Sequence, residues 1–103
     1  MTQDLVGCSL PDGLIATGSS PVFERGTLPA ALQQEHSLAE GFWAVLHVLA
    51  GSVRFEDLQT GEIRRISAPG RQVICPLAPH RLIADGQFRC RIDFFKSPIT
   101  EPG

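Results

Sequence analysis

Turn chemistry punctuates this chain at short intervals: Pro11-Asp12-Gly13, Gln59-Thr60-Gly61, Ala68-Pro69-Gly70, Pro76 to Pro79, and Asp85-Gly86. Gly accepts positive φ, Pro fixes φ, and Asp hydrogen-bonds to its own backbone, so each cluster reverses or breaks the chain. The segments they bound are too short for ordinary helices, and several alternate between apolar and polar residues. Short strands with regular turn signals predict an all-β sandwich or barrel.

The clearest strand runs from Phe42 to Ala50. Trp43, Val45, His47 and Leu49 fall on one face, and Phe42, Ala44, Leu46 and Val48 on the other. Both faces are largely apolar, which predicts a central position. A second strand, Ser52 to Leu58, sets Val53 and Phe55 against Arg54 and Glu56. Glu62 to Ser67 is polar and reads as an edge. Val73 to Cys75 is short and buried, and His80 to Ala84 follows the proline turn. Phe88 to Lys96 alternates, with Phe88, Cys90, Ile92 and Phe94 inward and Arg89, Arg91 and Asp93 outward. An early strand is expected around Ile15, and one helical turn at Pro29 to Gln34, with Pro at the first helical position. The tail from about residue 98 to 103, with Pro98 and Pro102, is expected to fray.

At 103 residues the chain has room for one core, so residues 1–103 read as a single domain. A net charge of −2, with basic residues scattered apart from Arg64-Arg65, argues against nucleic-acid and anionic-membrane partners. The longest apolar stretch, Gly41 to Gly51, is too short to span a bilayer and carries His47. The N-terminus shows no basic region followed by an apolar run. Cys8, Cys75 and Cys90 are odd in number, widely spaced and free of any CxxC pairing. That pattern reads as three reduced thiols in a cytoplasmic protein.

Several motifs stand in a fixed order: Leu10-Pro11-x-Gly13-Leu14, Ser20-Pro21-Val22-Phe23, Leu28-Pro29-x-x-Leu32, His36-Ser37, Gly41-x-Trp43, and His47-Val48-Leu49-x-Gly51. Pro69-Gly70, Pro76-x-x-Pro79-His80-Arg81 and Phe88-x-x-x-x-Asp93-Phe94 complete the series. The combination resembles the TehB/YeaR-like domain, a family named for tellurite resistance that occurs alone or fused ahead of a methyltransferase. The resemblance implies a cupin-like double-stranded β-helix, a jelly-roll barrel. Methyl transfer does not carry over, because no methyltransferase domain is present. Gly70, Pro76 and His80 look like a shortened second cupin motif, and Gly41 to Gly51 with His47 like a degraded first one. Family members often carry Glu where this chain has Ala50, which removes one possible carboxylate.

The candidate site is a set of three histidines, His36, His47 and His80. Neutral imidazole offers a lone pair to transition metals, and a barrel can gather ligands from neighbouring strands. Three protein ligands plus water would make an open site of catalytic or sensing type. The expected cofactor is one divalent transition metal, Zn²⁺ first and Ni²⁺ or Fe²⁺ as alternatives, because nitrogen ligands disfavour Ca²⁺ and Mg²⁺. Plainer readings stand beside this one. His47 reads equally as a hydrogen-bonded core histidine, and His36, after Gln33-Gln34-Glu35, as a solvated residue. Asp93 could serve as a fourth ligand, but its phase opposes Phe88, Ile92 and Phe94, and the favoured reading points it outward to pair with Arg89, Arg91 or Arg81. Trp43 shares a face with His47 and could line a ligand cavity or fill core. Arg81 could bind an anion beside His80. Cys75 and Cys90 read as small packed hydrophobes.

These residues predict a small metal-binding protein, and the resemblance implies a role in sensing, binding or detoxifying a small molecule or an oxyanion such as tellurite. Two rivals stay open. One is a metal-dependent oxygenase or isomerase, against which the loss of the carboxylate at Ala50 counts. The other is a metal-free module that pairs as a homodimer to protect its strand edges.

Overall fold

A computed structural model describes residues 8–98 of the chain. Apolar residues at alternate positions bury one face of a strand and leave the other wet, and the described residues form seven strands. They are β1 (Ile15–Ser19), β2 (Phe23–Glu24), β3 (Phe42–Asp57), β4 (Ile63–Ser67), β5 (Gly70–Ile74), β6 (His80–Ile83) and β7 (Phe88–Lys96). All the strand pairings are antiparallel.

β3 is the spine of the molecule. Its first half pairs with β7 on one side and β5 on the other, and β1 and β2 add to β7. Its second half pairs with β4 and β6. Two sheets therefore share one strand and fold over a common interior, which is the cupin-like jelly roll. The expected pair of strands, 42–50 and 52–58, is one continuous strand of 16 residues. Gly51, which lies between the two expected strands, is part of it. The register with β7 slips between Val48 and Ala50, and Gly51 adopts φ +65°. The resulting bulge turns the strand from one sheet into the other without stopping it.

The core draws on alternate positions of β3 to β7: Ala44, Leu46 and Val48, then Val53 and Phe55, with Ile66, Ile74, Leu82, Phe88, Cys90 and Ile92. The phase expected for β7 holds, with Phe88, Cys90 and Ile92 buried and Arg89 exposed. β4 lies at a sheet edge as expected. β2 was not foreseen, since Phe23 and Glu24 are only two residues and carry no periodicity. The helical turn is a 3-10 helix, η1 (Ala30–Gln33), with Pro29 just ahead of it in extended geometry. Pro29 therefore precedes the first helical position instead of filling it. The fraying expected of the tail concerns mainly residues 99–103, which lie outside the described residues.

One reading is corrected outright. Cys8 and Cys75 are disulfide-bonded, with their Cα atoms 6.3 Å apart, within the range a disulfide spans. Cys75 is thus a bonded half-cystine and not a packed thiol, and the inference of a reducing compartment loses its premise. The two cysteines are 67 residues apart, and only the barrel brings them together. Cys90 alone is free, and it packs as a small hydrophobe at 0% exposure. Burial pushes its thiol pKa up to about 11, so it remains protonated and unreactive near neutral pH.

Candidate functional site

His80 opens β6 with its side chain turned inward and only 3% of the residue exposed. His36 reaches it from the segment after η1. The two backbones exchange hydrogen bonds, His36 N–H to His80 O at 3.0 Å and His80 N–H to His36 O at 2.9 Å. Their rings meet edge to face with centroids 4.2 Å apart, and Phe55 stacks on His80 at 5.3 Å. The next contacts along both segments continue the match: Leu38 bridges Pro76, and Leu77 N–H donates to Leu38 O at 2.8 Å.

Each imidazole is oriented by its own chain. His36 Nδ1 lies 2.9 Å from the Gln34 carbonyl oxygen, and His80 Nδ1 lies 2.7 Å from that of Ala78. A carbonyl only accepts, so both Nδ1 atoms must donate. In the neutral ring the lone pair then sits on Nε2, and no described residue hydrogen-bonds to Nε2 of either. Histidines that ligate metals are usually held in this way, with one nitrogen tied to a backbone carbonyl and the other left to the ion.

Two cavities flank His80. One, of about 210 Å³, is the apolar barrel interior, bounded by Phe23, Leu32, Ala44 and Ile92 with both histidines in its wall. The other, of about 240 Å³, opens between the 57–59 turn and the 75–80 loop. Its wall carries His80, Asp57, Gln72 and both halves of the disulfide. Each lies below the roughly 300–1,000 Å³ of sites for drug-sized ligands.

Gln72 and Asp57 were missed as cavity residues. Gln72 is 3% exposed, accepts from Arg64 Nη1 at 3.3 Å and donates to Val73 O at 2.9 Å. Its signal was present: Gln72 is two residues from Ile74, so it shares the inward phase of β5.

His47 stands apart. It lies on the face of β3 opposite Ala44, Leu46 and Val48, and its Nε2 contacts Asp93 Oδ2 at 3.0 Å. Asp93 points outward, as expected, and of the three arginines considered its partner is Arg91, at 3.0 Å. It also accepts from the Ser19 hydroxyl at 2.7 Å. The geometry thus joins two of the three expected histidines and places the third across the sheet. Among the described residues, no group of three or more His, Cys, Asp or Glu side chains is arranged to hold a metal ion. His36 and His80 supply two nitrogen donors, one fewer than the three protein ligands of an open zinc centre and two fewer than a closed structural site. Trp43 is half-buried on the outer face with His47, on the far side of β3 from the apolar cavity. Arg81 points outward from β6, and Glu56 Oε1 engages its Nε at 2.6 Å.

Protonation weakens this arrangement. Burial holds the His80 pKa below its ordinary 6.5; the His36 ring adds to that, while the Ala78 hydrogen bond and Asp57 oppose it. Asp93 is held below 3.8 by the hydrogen bonds from Ser19 and Arg91. In both cases the unfolded chain takes up the proton first, so both contributions to stability shrink on acidification. His80 contributes in full above about 6.5 and loses its share as pH falls through the folded value. Asp93 does the same below about 3.8. The urea midpoint should fall from pH 7.5 to pH 5, and His80→Gln should flatten that step; a midpoint that rises over this window would contradict the assignment.

A model of the TehB-like domain matches residues 18–92. The chain belongs to the TehB-like domain family. No curated protein matches it in sequence. Among solved structures, a protein from E. coli strain K12 superposes with a TM-score of 0.81 at 24% identity, covering 89% of this chain and 99% of that one. TehB from Haemophilus influenzae superposes at 0.74 with 26% identity. That match covers 84% of this TehB-like chain but only 32% of the Haemophilus protein. A cupin protein from Bacteroides fragilis, at 0.59 and 16% identity, covers 98% of the chain and shares the fold. No helix among the described residues is long and apolar enough to cross a membrane.

Proposed function

We propose that this TehB-like domain is a small-ligand-binding cupin. In this reading His36 and His80 hold one divalent transition metal, Zn²⁺ before Ni²⁺ or Fe²⁺, and leave its other positions to a small molecule or oxyanion. The observation that carries the reading is the pair of imidazoles in contact, each with Nδ1 committed to a backbone carbonyl and so with its lone pair on Nε2. Two neutral nitrogen lone pairs repel an anion and attract a Lewis acid, so an oxyanion would reach them through a cation. A small cavity and few protein ligands favour exchangeable ligands over a fixed structural ion. Family membership supports a role in the response to tellurite or other toxic oxyanions, with binding or sensing as the activity. Ala50 supplies no carboxylate, which favours binding over catalysis.

Calorimetric titration of untagged protein with Zn²⁺ tests this. Wild type should bind about one equivalent, and His36→Ala and His80→Ala should each weaken binding at least roughly 10-fold. His47→Ala should bind like wild type. Equal binding by all four proteins, or loss only in His47→Ala, would overturn the reading.

A further inference from the structure

The disulfide lies in the same cavity wall as His80, and it anchors the loop that orients that ring. Cys75 follows β5 directly, and the loop from 75 to 80 then supplies three things. Pro76 and Leu77 bind the Leu38 segment, the Ala78 carbonyl holds His80 Nδ1, and His80 itself pairs with His36. Leu77 sits at φ +64°, a conformation that L-residues adopt only when their surroundings impose it. The segment 8–14 precedes β1 and lies outside every described strand, and the bond ties its first residue to this loop. Both half-cystines are partly accessible, whereas Cys90 is sealed in the core.

We propose that Cys8–Cys75 is a reversible thiol–disulfide site whose state, transmitted through the 75–80 loop, sets the His36–His80 pair. The reactant class is a dithiol reductant. One of its thiolates attacks Sγ of Cys8, the Cys8–Cys75 bond breaks, and Cys75 leaves as a thiolate that takes up a proton. The second thiolate of the reductant then attacks the mixed disulfide, releasing Cys8 as a thiol and the reductant as its own disulfide, a transfer of two electrons. With the bond open, residues 8–14 are released and the loop loses its covalent anchor, so the Ala78 carbonyl no longer fixes one tautomer of His80. The consequence for binding rests on the reading of the histidines as metal ligands; the change in the rings does not. Linkage makes the coupling reciprocal, so an ion held by the pair shifts the thiol–disulfide equilibrium by the same factor.

Three histidines make the test specific, because His47, across the sheet, is an internal control. Ring nitrogen NMR at pH 8 compares oxidised wild type, phosphine-reduced wild type and the double variant Cys8→Ala/Cys75→Ala. The His36 and His80 signals should move toward mixed tautomers in the last two samples, with His47 unchanged. Unmoved His36 and His80, or all three histidines collapsing to unfolded values, would overturn the proposal, the bond then being a staple only. In parallel, the Zn²⁺ affinity of oxidised wild type should exceed that of the double variant by roughly 5-fold or more. The variant avoids direct binding of Zn²⁺ by free thiols. Equal affinities would overturn the control of binding. If neither protein binds Zn²⁺, the metal reading fails by itself, and the ring signals still decide the switch.

Discussion

Opening the Cys8–Cys75 bond should lower the unfolding free energy by about 4 kcal/mol. The cross-link joins residues 67 apart, and closing a loop of that size removes considerable entropy from the unfolded chain. Small domains have roughly 5–15 kcal/mol in hand, so the reduced chain should stay folded near room temperature, with a narrower margin. Urea unfolding of Cys8→Ala/Cys75→Ala against oxidised wild type measures the loss. An unchanged midpoint would mean that the two cysteines are not bonded in the native protein.

Gly51→Ala should cost roughly 3 kcal/mol or more, for two separable reasons. At φ +65° an L-residue is strained, and a Cβ there would overlap the carbonyl oxygen of Gln87. That oxygen belongs to backbone and cannot swing aside, so β3 or the start of β7 must move. Gly61 separates the two causes: it has φ +80°, but nothing lies within 4 Å of where a Cβ would stand. Gly61→Ala should therefore cost only about 1–2 kcal/mol, the conformational part alone. Equal midpoints for the two variants would show that the Gln87 contact is not a constraint. The pivot matters because it lets one strand serve both sheets, and the second sheet carries β6 and with it His80.

Local periodicity is what the sequence displays best. β7 alternates over nine residues, and its bounds and inward phase are as read from the sequence. The phase of β3 correctly grouped His47 with Trp43 and Val45. It did not reveal which face was interior, because Val45 is as apolar as Ala44 and Leu46, and all three are buried. That ambiguity left His47 among the candidate ligands. The pairing of His36 with His80, and of Cys8 with Cys75, depends on closure of the barrel and leaves no local pattern. Gly51 carried the opposite problem: it fell between two expected strands, whereas its pairing with Phe88 of β7 carries the ladder through it.

An anomalous-scattering map at the zinc edge, from crystals of the oxidised protein grown with one equivalent of Zn²⁺, would locate the ion. One strong peak is expected within bonding distance of both Nε2 atoms, His36 and His80, with its remaining ligands from water or a small molecule. A peak between His47 and Asp93, or no ordered peak at all, would contradict this placement.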